Sequence, residues 1–329
     1  MQAIIPVAGA GTRLRPLTYT QPKVLISVAG KPILAYIIEN LQQQGVTRFV
    51  FVIGYLGEKI KEYVEAKYPD LDVQFIWQEE RAGLGHAIYS AQESIDLQQP
   101  LIIQLGDTIL DTDFDAVLKN GRSTLCVKKV EDPRIFGVAE LLPDGTIKSV
   151  IEKPAIPKSN MALVGFYFIR ETAQLFHALA QLIETNQRSN NEFSLTDALQ
   201  QMMNDGVVFN SYKAEHWFDV GKKDILLETN AILLRKNKHQ DIPPTAENSI
   251  FIAPYYVPAS ATIKNSIIGP YVTIGENSEI SNSILRNSVI GSFSKLENVT
   301  LHASLIGSDT TIKGLSQSLN IGDNTEISF

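Results

Sequence analysis

The amino-acid sequence predicts an α/β protein with a mostly parallel β-sheet that carries helices on both faces, followed by a left-handed parallel β-helix. Three observations support this prediction. Continuous apolar runs alternate with helical patterns over the first hundred residues, as in parallel sheets that are covered on both faces. From Ser123 the pattern changes to strands and hairpins, and after Asn248 the sequence becomes repetitive. A chain of 329 residues is long enough for one large α/β domain and a smaller one.

The N-terminal segment begins as a short buried strand and breaks at once into a loop without bulky side chains. Two glycines allow positive φ angles and a close approach to backbone N–H groups. Spaced cations follow within a dozen residues, which together with an amide-lined loop suits a polyphosphate. The loop residues are Ala8, Gly9, Ala10, Gly11 and Thr12, and the cations are Arg13, Arg15 and Lys23.

Two better-known phosphate loops do not fit this segment. A Rossmann fingerprint requires a third glycine where Leu14 stands, and an acid that the strand at residues 49–55 does not offer. A P-loop requires Gly-Lys-Ser/Thr, whereas Gly30-Lys31 is followed by Pro32. A simple strand–helix turn with surface cations is the alternative interpretation.

The remaining elements of the first half are predicted from periodicity. Ligands of parallel sheets bind beyond the carboxyl ends of the strands, which places Gly9, Gln78 and Asp107 along one rim. The predicted helices are residues 33–45, the segment GEKIKEYVEAKY and residues 83–95; the predicted strands are RFVFVIG, residues 73–77 and residues 101–107.

The second half begins with two alternating runs joined at Pro143-Asp144-Gly145, a strong hairpin signal. A polar segment with Pro243-Pro244 predicts a linker over residues 237–247, between domains at 1–236 and 248–329. The other predicted elements are a strand at 162–169, helices at 171–184 and 194–205, a strand in VVFNSY, the segment WFDVG, and a helix at 222–235.

Ile-Gly recurs after Asn248, and Ile274, Ile290 and Ile306 are 16 residues apart. Branched apolar residues at steps of five or six, separated by small and polar residues, are typical of a hexapeptide-repeat-like β-helix. A sandwich of short strands is the alternative. The imperfect hexads predict about four irregular coils, packed on the preceding domain or on a neighbouring subunit.

Composition excludes several classes of protein. The net charge of −7 disfavours nucleic-acid binding, which needs a basic surface. The single cysteine, Cys126, lies in a strand-like run, where a buried inert thiol is expected rather than a nucleophile. Gly9 and Gly11 interrupt the apolar start, so no secretory segment is expected, and the longest apolar run is too short for a bilayer. We expect a cytoplasmic protein with no membrane partner.

Two aspartates are candidate magnesium ligands. Asp107 ends an apolar strand and Asp219 lies in the segment WFDVG. Mg²⁺ is usually held by one or two carboxylates together with phosphate oxygens and water. Each aspartate alone is equally compatible with a turn or a helix cap.

The whole string GAGTRLRPLT, then PKVL, then VAGKP resembles the signature of the sugar-1-phosphate nucleotidylyltransferases. The resemblance is strong over roughly residues 1–236 and looser over the repeats, and it is closest to the long form of the thymidylyltransferases. It implies a Rossmann-like nucleotidyltransferase sheet and a reaction that joins a sugar 1-phosphate to the α-phosphorus of a nucleoside triphosphate. It also implies Mg²⁺ held by Asp107 and Asp219. Cations and metal would position the anions and stabilise the developing charge.

The resemblance further assigns roles residue by residue. Arg13 would contact the β- and γ-phosphates, Lys23 the phosphates of both substrates, and Lys153 the sugar phosphate. Glu152 would bind sugar hydroxyls, and Gly137 and Gly165 would make room for the hexose. Glu192 and Asp197 match a string of the glucose-1-phosphate members, although Ser194 with Asp197 also fits a plain helix start.

The nucleotide base is the least determined feature. Gln78 and Gly83 fall where pyrimidine-using members of the family bind the base, next to the loop residues Ala8, Gly9, Gly11 and Thr12. Long stretches resemble enzymes that use dTTP and glucose 1-phosphate, whereas Gly83-Leu84-Gly85-His86-Ala87 resembles those that use UTP. The two bases differ by one methyl group, worth only ~1–3 kcal/mol.

Two other functions remain open. A non-catalytic regulatory subunit of the same fold predicts damage at the site positions, and Arg13, Lys23, Asp107, Lys153 and Asp219 are all intact. An acyltransferase built on the β-helix needs long regular coils and a base, for which His302 is the one histidine of the repeats. The resemblance also implies a homo-oligomer.

Overall fold

The protein is described here by a computed structural model over residues 1–119, 121–236 and 245–314. It divides into two units. The first comprises Met1–Ile26 and Lys31–Leu226, and the second combines Ser27–Gly30 with the described residues from Leu227 onward. The predicted domain boundary after residue 236 therefore differs from the observed division, because the second half of the last helix and a four-residue turn group with the repeats.

The elements of the first 236 residues alternate as the periodicity indicates. The strands are β1 (Gln2–Pro6), β2 (Ser27–Val28), β3 (Lys31–Pro32), β4 (Arg48–Ile53), β5 (Asp72–Trp77), β6 (Leu101–Gln104), β7 (Thr108–Asp111), β8 (Thr124–Lys129), β9 (Gly137–Leu141), β10 (Ile147–Glu152), β11 (Met161–Ile169), β12 (Asn210–Lys213) and β13 (His216–Asp219). The helices are α1 (Ile33–Gln43), α2 (Gly57–Lys67), α3 (Leu84–Tyr89), α4 (Phe114–Leu118), α5 (Thr172–Glu184), α6 (Leu195–Asn204) and α7 (Lys223–Lys236).

One nine-stranded sheet forms the framework of the first unit. Its main path runs β10-β9-β11-β6-β1-β4-β5, and β8 and β12 extend it from β11. β1 pairs in parallel with β4 and β6, and β4 pairs in parallel with β5. These pairings confirm the predicted parallel sheet, and the apolar residues of β4 after Arg48 are all buried, as in a strand covered on both faces. The later strands β9, β10 and β11 are antiparallel, and the predicted hairpin joins β9 to β10.

Three predicted elements are too long. The strand predicted over residues 101–107 ends at Gln104, so Asp107 lies in the turn before β7 and not at the end of a strand. The helix predicted over residues 83–95 ends at Tyr89, where the Ser90 hydroxyl donates to the Ala87 carbonyl (2.8 Å), and a separate 3-10 turn covers Gln92–Ser94. The strand predicted in VVFNSY begins only at Asn210. The N–H of Val207 instead donates to the Met202 carbonyl (3.0 Å) and completes the end of α6.

The repeats form three all-parallel sheets, consistent with the predicted left-handed β-helix and not with a sandwich. The first strand, Ala246–Glu247, lies within the predicted linker, while residues 237–244 and 315–329 are outside the described residues. Isoleucines and leucines such as Ile263, Ile280 and Leu296 stack inward, one above another. The strands are β14 (Ala246–Glu247), β15 (Ile250–Phe251), β16 (Tyr255–Tyr256), β17 (Thr262–Lys264), β18 (Ile267–Ile268), β19 (Val272–Ile274), β20 (Glu279–Ser281), β21 (Ile284–Arg286), β22 (Val289–Ile290), β23 (Lys295–Glu297), β24 (Thr300–His302), β25 (Leu305–Ile306) and β26 (Thr311–Lys313).

The structure also shows where the single cysteine and the histidine of the repeats lie, and whether any helix could span a membrane. Cys126 is buried in β8, and burial raises the pKa of its thiol to about 12, so it stays protonated and inert. His302 is exposed on β24. Over the described ranges, no helix is both long and apolar enough to traverse a bilayer.

Candidate active site

A cavity of about 410 Å³, here called the large cavity, opens beyond the carboxyl ends of β1, β5 and β6. The structure brings Gly9, Gln78 and Asp107 together in its wall, as the rule for parallel sheets predicts. Nine of the predicted site residues line it: Ala8, Gly9, Gly11, Thr12, Arg13, Lys23, Gln78, Gly83 and Asp107.

The glycine loop is open on the side where a ligand would approach. A Cβ at Gly9 would meet nothing within 4 Å. Gly11 has a φ of 61°, and a Cβ there would lie 3.0 Å from both the Lys23 Cβ and the Thr18 Cγ2. The Thr18 hydroxyl fixes the turn by donating to the Gly11 carbonyl at 2.9 Å. Glycine at position 11 therefore lets the Lys23 segment pack directly against the loop.

Four charged side chains, here called the charged cluster, meet beside this loop: Arg13, Lys23, Asp107 and Asp219. The Lys23 Nζ lies 2.7 Å from the Asp107 Oδ2, and the lysine side chain is only 10% exposed. Gly221 lies close to the other members of the cluster. A Cβ there would lie 2.9 Å from the Asp219 Oδ1, 3.2 Å from the Lys23 Nζ and 3.3 Å from the Arg13 Nη2.

The two aspartates converge because β7 and β13 form an antiparallel ribbon. Asp219 pairs with Thr108, the residue after Asp107, and the Val220 N–H donates to the Asp107 carbonyl at 3.1 Å. Burial raises the pKa of Asp219, and the negative charge of Asp107 raises it further, whereas Lys23 and Arg13 act in the opposite direction. The two carboxylates therefore repel each other in one partly desolvated place.

This donor set fits a hard divalent cation. Among the described residues, no group of three or more histidine, cysteine, aspartate or glutamate side chains is arranged to hold a metal. Two carboxylate donors leave most coordination positions to phosphate oxygens and water, which is how Mg²⁺ is usually held at phosphate-transfer sites. A cation held by these two carboxylates would also offset the burial and the mutual repulsion that raise the pKa of Asp219.

A second cavity of about 170 Å³, here called the small cavity, shares wall residues with the first. Leu84, Leu105 and Glu192 line both cavities. Three of the residues predicted to bind the sugar phosphate line the small cavity: Gly137, Glu152 and Lys153.

Glu152 is held in place by a hydrogen bond that the sequence does not reveal. Its Oε2 accepts from the Thr196 hydroxyl at 2.6 Å, and its Oε1 lies 3.4 Å from the Lys153 Nζ. Gly137 is next to this pair, since a Cβ there would lie 2.9 Å from the Thr196 Oγ1. The carboxylate is thus oriented at the cavity wall with one oxygen already bonded.

Gly165 and Gln78 each contact a neighbouring residue of the cavity walls. Gly165 does not line the small cavity; a Cβ there would collide with the Leu105 side chain at 2.8 Å, so the glycine makes room for a wall residue. The Gln78 amide donates to the Gly83 carbonyl at 3.2 Å, which joins the two residues predicted to bind the base.

The start of α6 combines a cap with a buried acid. Ser194 is the N-cap and accepts from the Thr196 N–H at 3.0 Å, so the plain helix start considered above is present. One carboxylate oxygen of Asp197 is buried without a hydrogen-bond partner. Burial raises the pKa of Asp197 and Glu152 adds to the shift, while a hydrogen bond with Ser189 opposes it.

Reasoning from the sequence missed two residues of the site. Arg81, which lies between Gln78 and Gly83 in the sequence, lines the large cavity. Nothing in its sequence context distinguishes it from an ordinary surface arginine. Thr196 lies within the string that holds Glu192 and Asp197, and only the fold shows that its hydroxyl meets Glu152.

Comparisons with known proteins agree with this geometry. The family model described as nucleotidyl transferase matches residues 2–236. The chain is 30% identical over 321 residues to a glucose-1-phosphate thymidylyltransferase of Streptomyces antibioticus, covering 88% of this chain and 87% of that protein. It is 32% identical over 229 residues to the UTP–glucose-1-phosphate uridylyltransferase AglF of Haloferax volcanii, covering 67% of this chain and 91% of that protein.

A solved structure of similar fold supports the same relationship. It is a UDP-glucose pyrophosphorylase in complex with UDP-glucose, with a TM-score of 0.62 and 25% identity, covering 72% of this chain and 99% of that one. The matched residues include the glycine loop, the charged cluster and the walls of both cavities. The chain belongs to the nucleotidyl transferase family.

Proposed function

We propose that the protein transfers the thymidylyl group of dTTP to glucose 1-phosphate and releases pyrophosphate. The observation that carries this proposal is the charged cluster beside the open glycine loop of the large cavity. We propose small-molecule substrates, with no nucleic-acid partner and no membrane partner. The proposal also includes a cytoplasmic location and a homo-oligomer.

In the proposed reaction an oxygen of the sugar phosphate attacks the α-phosphorus of the nucleotide. The bond from that phosphorus to the oxygen bridging to the β-phosphate breaks, and pyrophosphate leaves with the electron pair. The attacking oxygen is already anionic near neutral pH, so the step needs no general base. Catalysis then depends on positioning two anions and stabilising the charge on the leaving group.

The side chains of the large cavity suit the nucleotide. We assign the backbone of Ala8, Gly9, Gly11 and Thr12 to the nucleotide, and Gln78 with Gly83 to its base. Arg13 would bind the β- and γ-phosphates, and Lys23 would bridge the phosphates of both substrates. Mg²⁺, bound by Asp107 and Asp219, would supply further charge neutralisation on the phosphates when present.

The small cavity suits the sugar phosphate. Lys153 would bind its phosphate and Glu152 its hydroxyls, with Gly137 leaving space for the ring. Gly165 would act through Leu105. The shared wall formed by Leu84, Leu105 and Glu192 would allow the two substrates to meet.

Uridylyl transfer from UTP is the second candidate function. The UTP-using relative and the complex with UDP-glucose favour it, and one methyl group distinguishes the two bases. The Gln78 side chain and the Gly83 backbone could pair with thymine or uracil alike.

The test is pyrophosphate release by the purified protein with a panel of nucleoside triphosphates crossed with sugar 1-phosphates, with and without Mg²⁺. We expect Mg²⁺-dependent release with dTTP and glucose 1-phosphate, and kcat/KM for UTP within about 200-fold of that for dTTP, since one methyl contact gives no more. A clear preference for UTP would select the second candidate. Activity confined to GTP with mannose 1-phosphate would overturn the substrate assignment, and inactivity with every pair would indicate a regulatory subunit.

A further inference from the structure

A buried asparagine on α7, Asn230, holds a turn that follows the Lys23 segment. The turn is Ser27–Gly30, which belongs to the second unit although the chain on both sides belongs to the first. The Ile33 N–H donates to the Ile26 carbonyl at 3.2 Å and closes the base of this excursion. The turn therefore begins four residues after Lys23, and the chain segments that enter and leave it are hydrogen-bonded to each other.

The turn has a backbone conformation that needs support. Ala29 has a φ of 48° and Gly30 a φ of 89°. The left-handed region is unfavourable for an alanine, and such strain persists only where the surroundings determine it. The neighbouring packing is equally close, because a Cβ on Gly30 would lie 2.5 Å from the Tyr256 ring.

Asn230 supplies that support, and both the oxygen and the nitrogen of its carboxamide are hydrogen-bonded. Its side chain is fully buried, and its Oδ1 accepts from the Ala29 N–H at 2.8 Å and from the Thr273 hydroxyl at 2.6 Å. Its Nδ2 donates to the Tyr271 carbonyl at 3.2 Å. Removing the carboxamide would leave a buried N–H and a buried hydroxyl without this partner.

The position of Asn230 in the chain relates this network to the charged cluster. α7 begins at Lys223, two residues after Gly221, and Asp219 ends the strand before it. One carboxamide thus joins the helix that follows Asp219 to the turn that follows Lys23. In the site itself, Lys23 bonds Asp107 beside Asp219.

We propose that Asn230 is a positioning residue, which ties together the chain segments carrying Lys23 and Asp219 and so fixes the geometry of the charged cluster. This inference rests on the proposed function, which gives Lys23 its role at the phosphates. Displacing a reacting group by about 1 Å through a remote change can cost about 100-fold in rate. We therefore expect Asn230→Ala to lower kcat by about 10- to 100-fold, measured well below its thermal midpoint.

A matched control is Asn265→Ala, which removes an exposed asparagine of the same unit. Its carboxamide accepts from Asn248 and donates to Asn282, both within the repeats. This variant should leave kcat within about twofold of the wild type. If Asn230→Ala does not fold, Asn230→Asp serves instead. The aspartate keeps the acceptors for Ala29 and Thr273 but loses the bond to the Tyr271 carbonyl, and kcat should fall by more than in the control.

The deciding experiment is a double-mutant cycle with Lys23→Gln, read from kcat. If Asn230 acts through Lys23, Asn230→Ala costs at least about tenfold in the wild-type background and less than about twofold in the Lys23→Gln background. Equal losses in both backgrounds, or a folded Asn230→Ala variant with wild-type kcat, would overturn the inference. Failure of the proposed function would appear separately, as a wild-type protein that releases no pyrophosphate.

Discussion

The large and small cavities lie side by side but are built in different ways. The wall of the large cavity is formed by a contiguous glycine loop and by charged groups, and its open loop presents backbone rather than side chains. The small cavity depends on side chains from separate elements, as in the bond from Thr196 on α6 to Glu152 on β10.

The difference indicates how the two substrates would be recognised. Backbone N–H groups and cations bind any triphosphate, whereas oriented carboxylates and hydroxyls distinguish one arrangement of sugar hydroxyls from another. We therefore expect changes in the charged cluster to affect mainly turnover. Changes around Glu152 should affect mainly the affinity for the sugar.

The largest effect is expected from removing charge in the large cavity. Arg13→Ala and Asp107→Asn should each lower kcat at least about 100-fold, because each removes preorganised stabilisation of the phosphates. The rate of pyrophosphate release at saturating substrate concentrations measures kcat for each variant. Lys148→Ala, an exposed cation paired with Glu140, is the control and should be neutral. Near-wild-type rates in both cluster variants would move the site elsewhere.

A smaller effect is expected when the geometry of the cluster changes without its charge. The methyl group of Gly221→Ala would lie 2.9–3.3 Å from atoms of Asp219, Lys23 and Arg13, so these side chains must shift. We expect kcat to fall about tenfold, as displaced groups lose productive alignment. The thermal midpoint should be recorded with the rate, and an unchanged kcat would show that the cluster tolerates displacement.

The smallest effect concerns the buried acid beside the small cavity. Because the pKa of Asp197 is raised above its usual 3.8 in the folded protein, the folded state holds that proton more tightly than the unfolded state. Its contribution to stability is therefore lost as the pH rises from about 4 through the raised pKa. Denaturant unfolding of Asp197→Asn and the wild type should show the variant gaining relative stability from pH 4 to pH 7. A difference that does not change with pH would contradict this account.

The sequence was informative wherever neighbours in the chain are also neighbours in space. The glycine loop, the placement of Gln78 and Asp107 beyond the ends of strands, and the inward stacking of the repeats all follow from local patterns. The meeting of Asp107 with Asp219 is different. It depends on the pairing of β7 with β13, which no spacing reveals, and the sequence reached it only through a family resemblance.

Other features depended on side-chain directions that a sequence does not show. Thr196 looks like the second residue of a capped helix, and its bond to Glu152 arises only once α6 packs beside β10. The helix predicted over residues 83–95 ended early because Ser90 bonds the backbone, while the helical pattern around it continues. Asn230 is similarly unremarkable on the helical pattern of α7, since its partner Ala29 is remote in the chain.

The assignment of the nucleotide to the large cavity and of the sugar phosphate to the small cavity is tested most directly with two variants, Gln78→Ala and Thr196→Val. The KM for dTTP and the KM for glucose 1-phosphate are measured in each. Each loses a hydrogen-bonding group worth about 1–1.5 kcal/mol, or about tenfold in affinity. We predict that Gln78→Ala raises the KM for dTTP about tenfold and leaves that for glucose 1-phosphate within twofold, whereas Thr196→Val does the reverse. If both variants change the KM of the same substrate, the assignment of one cavity to each substrate is wrong.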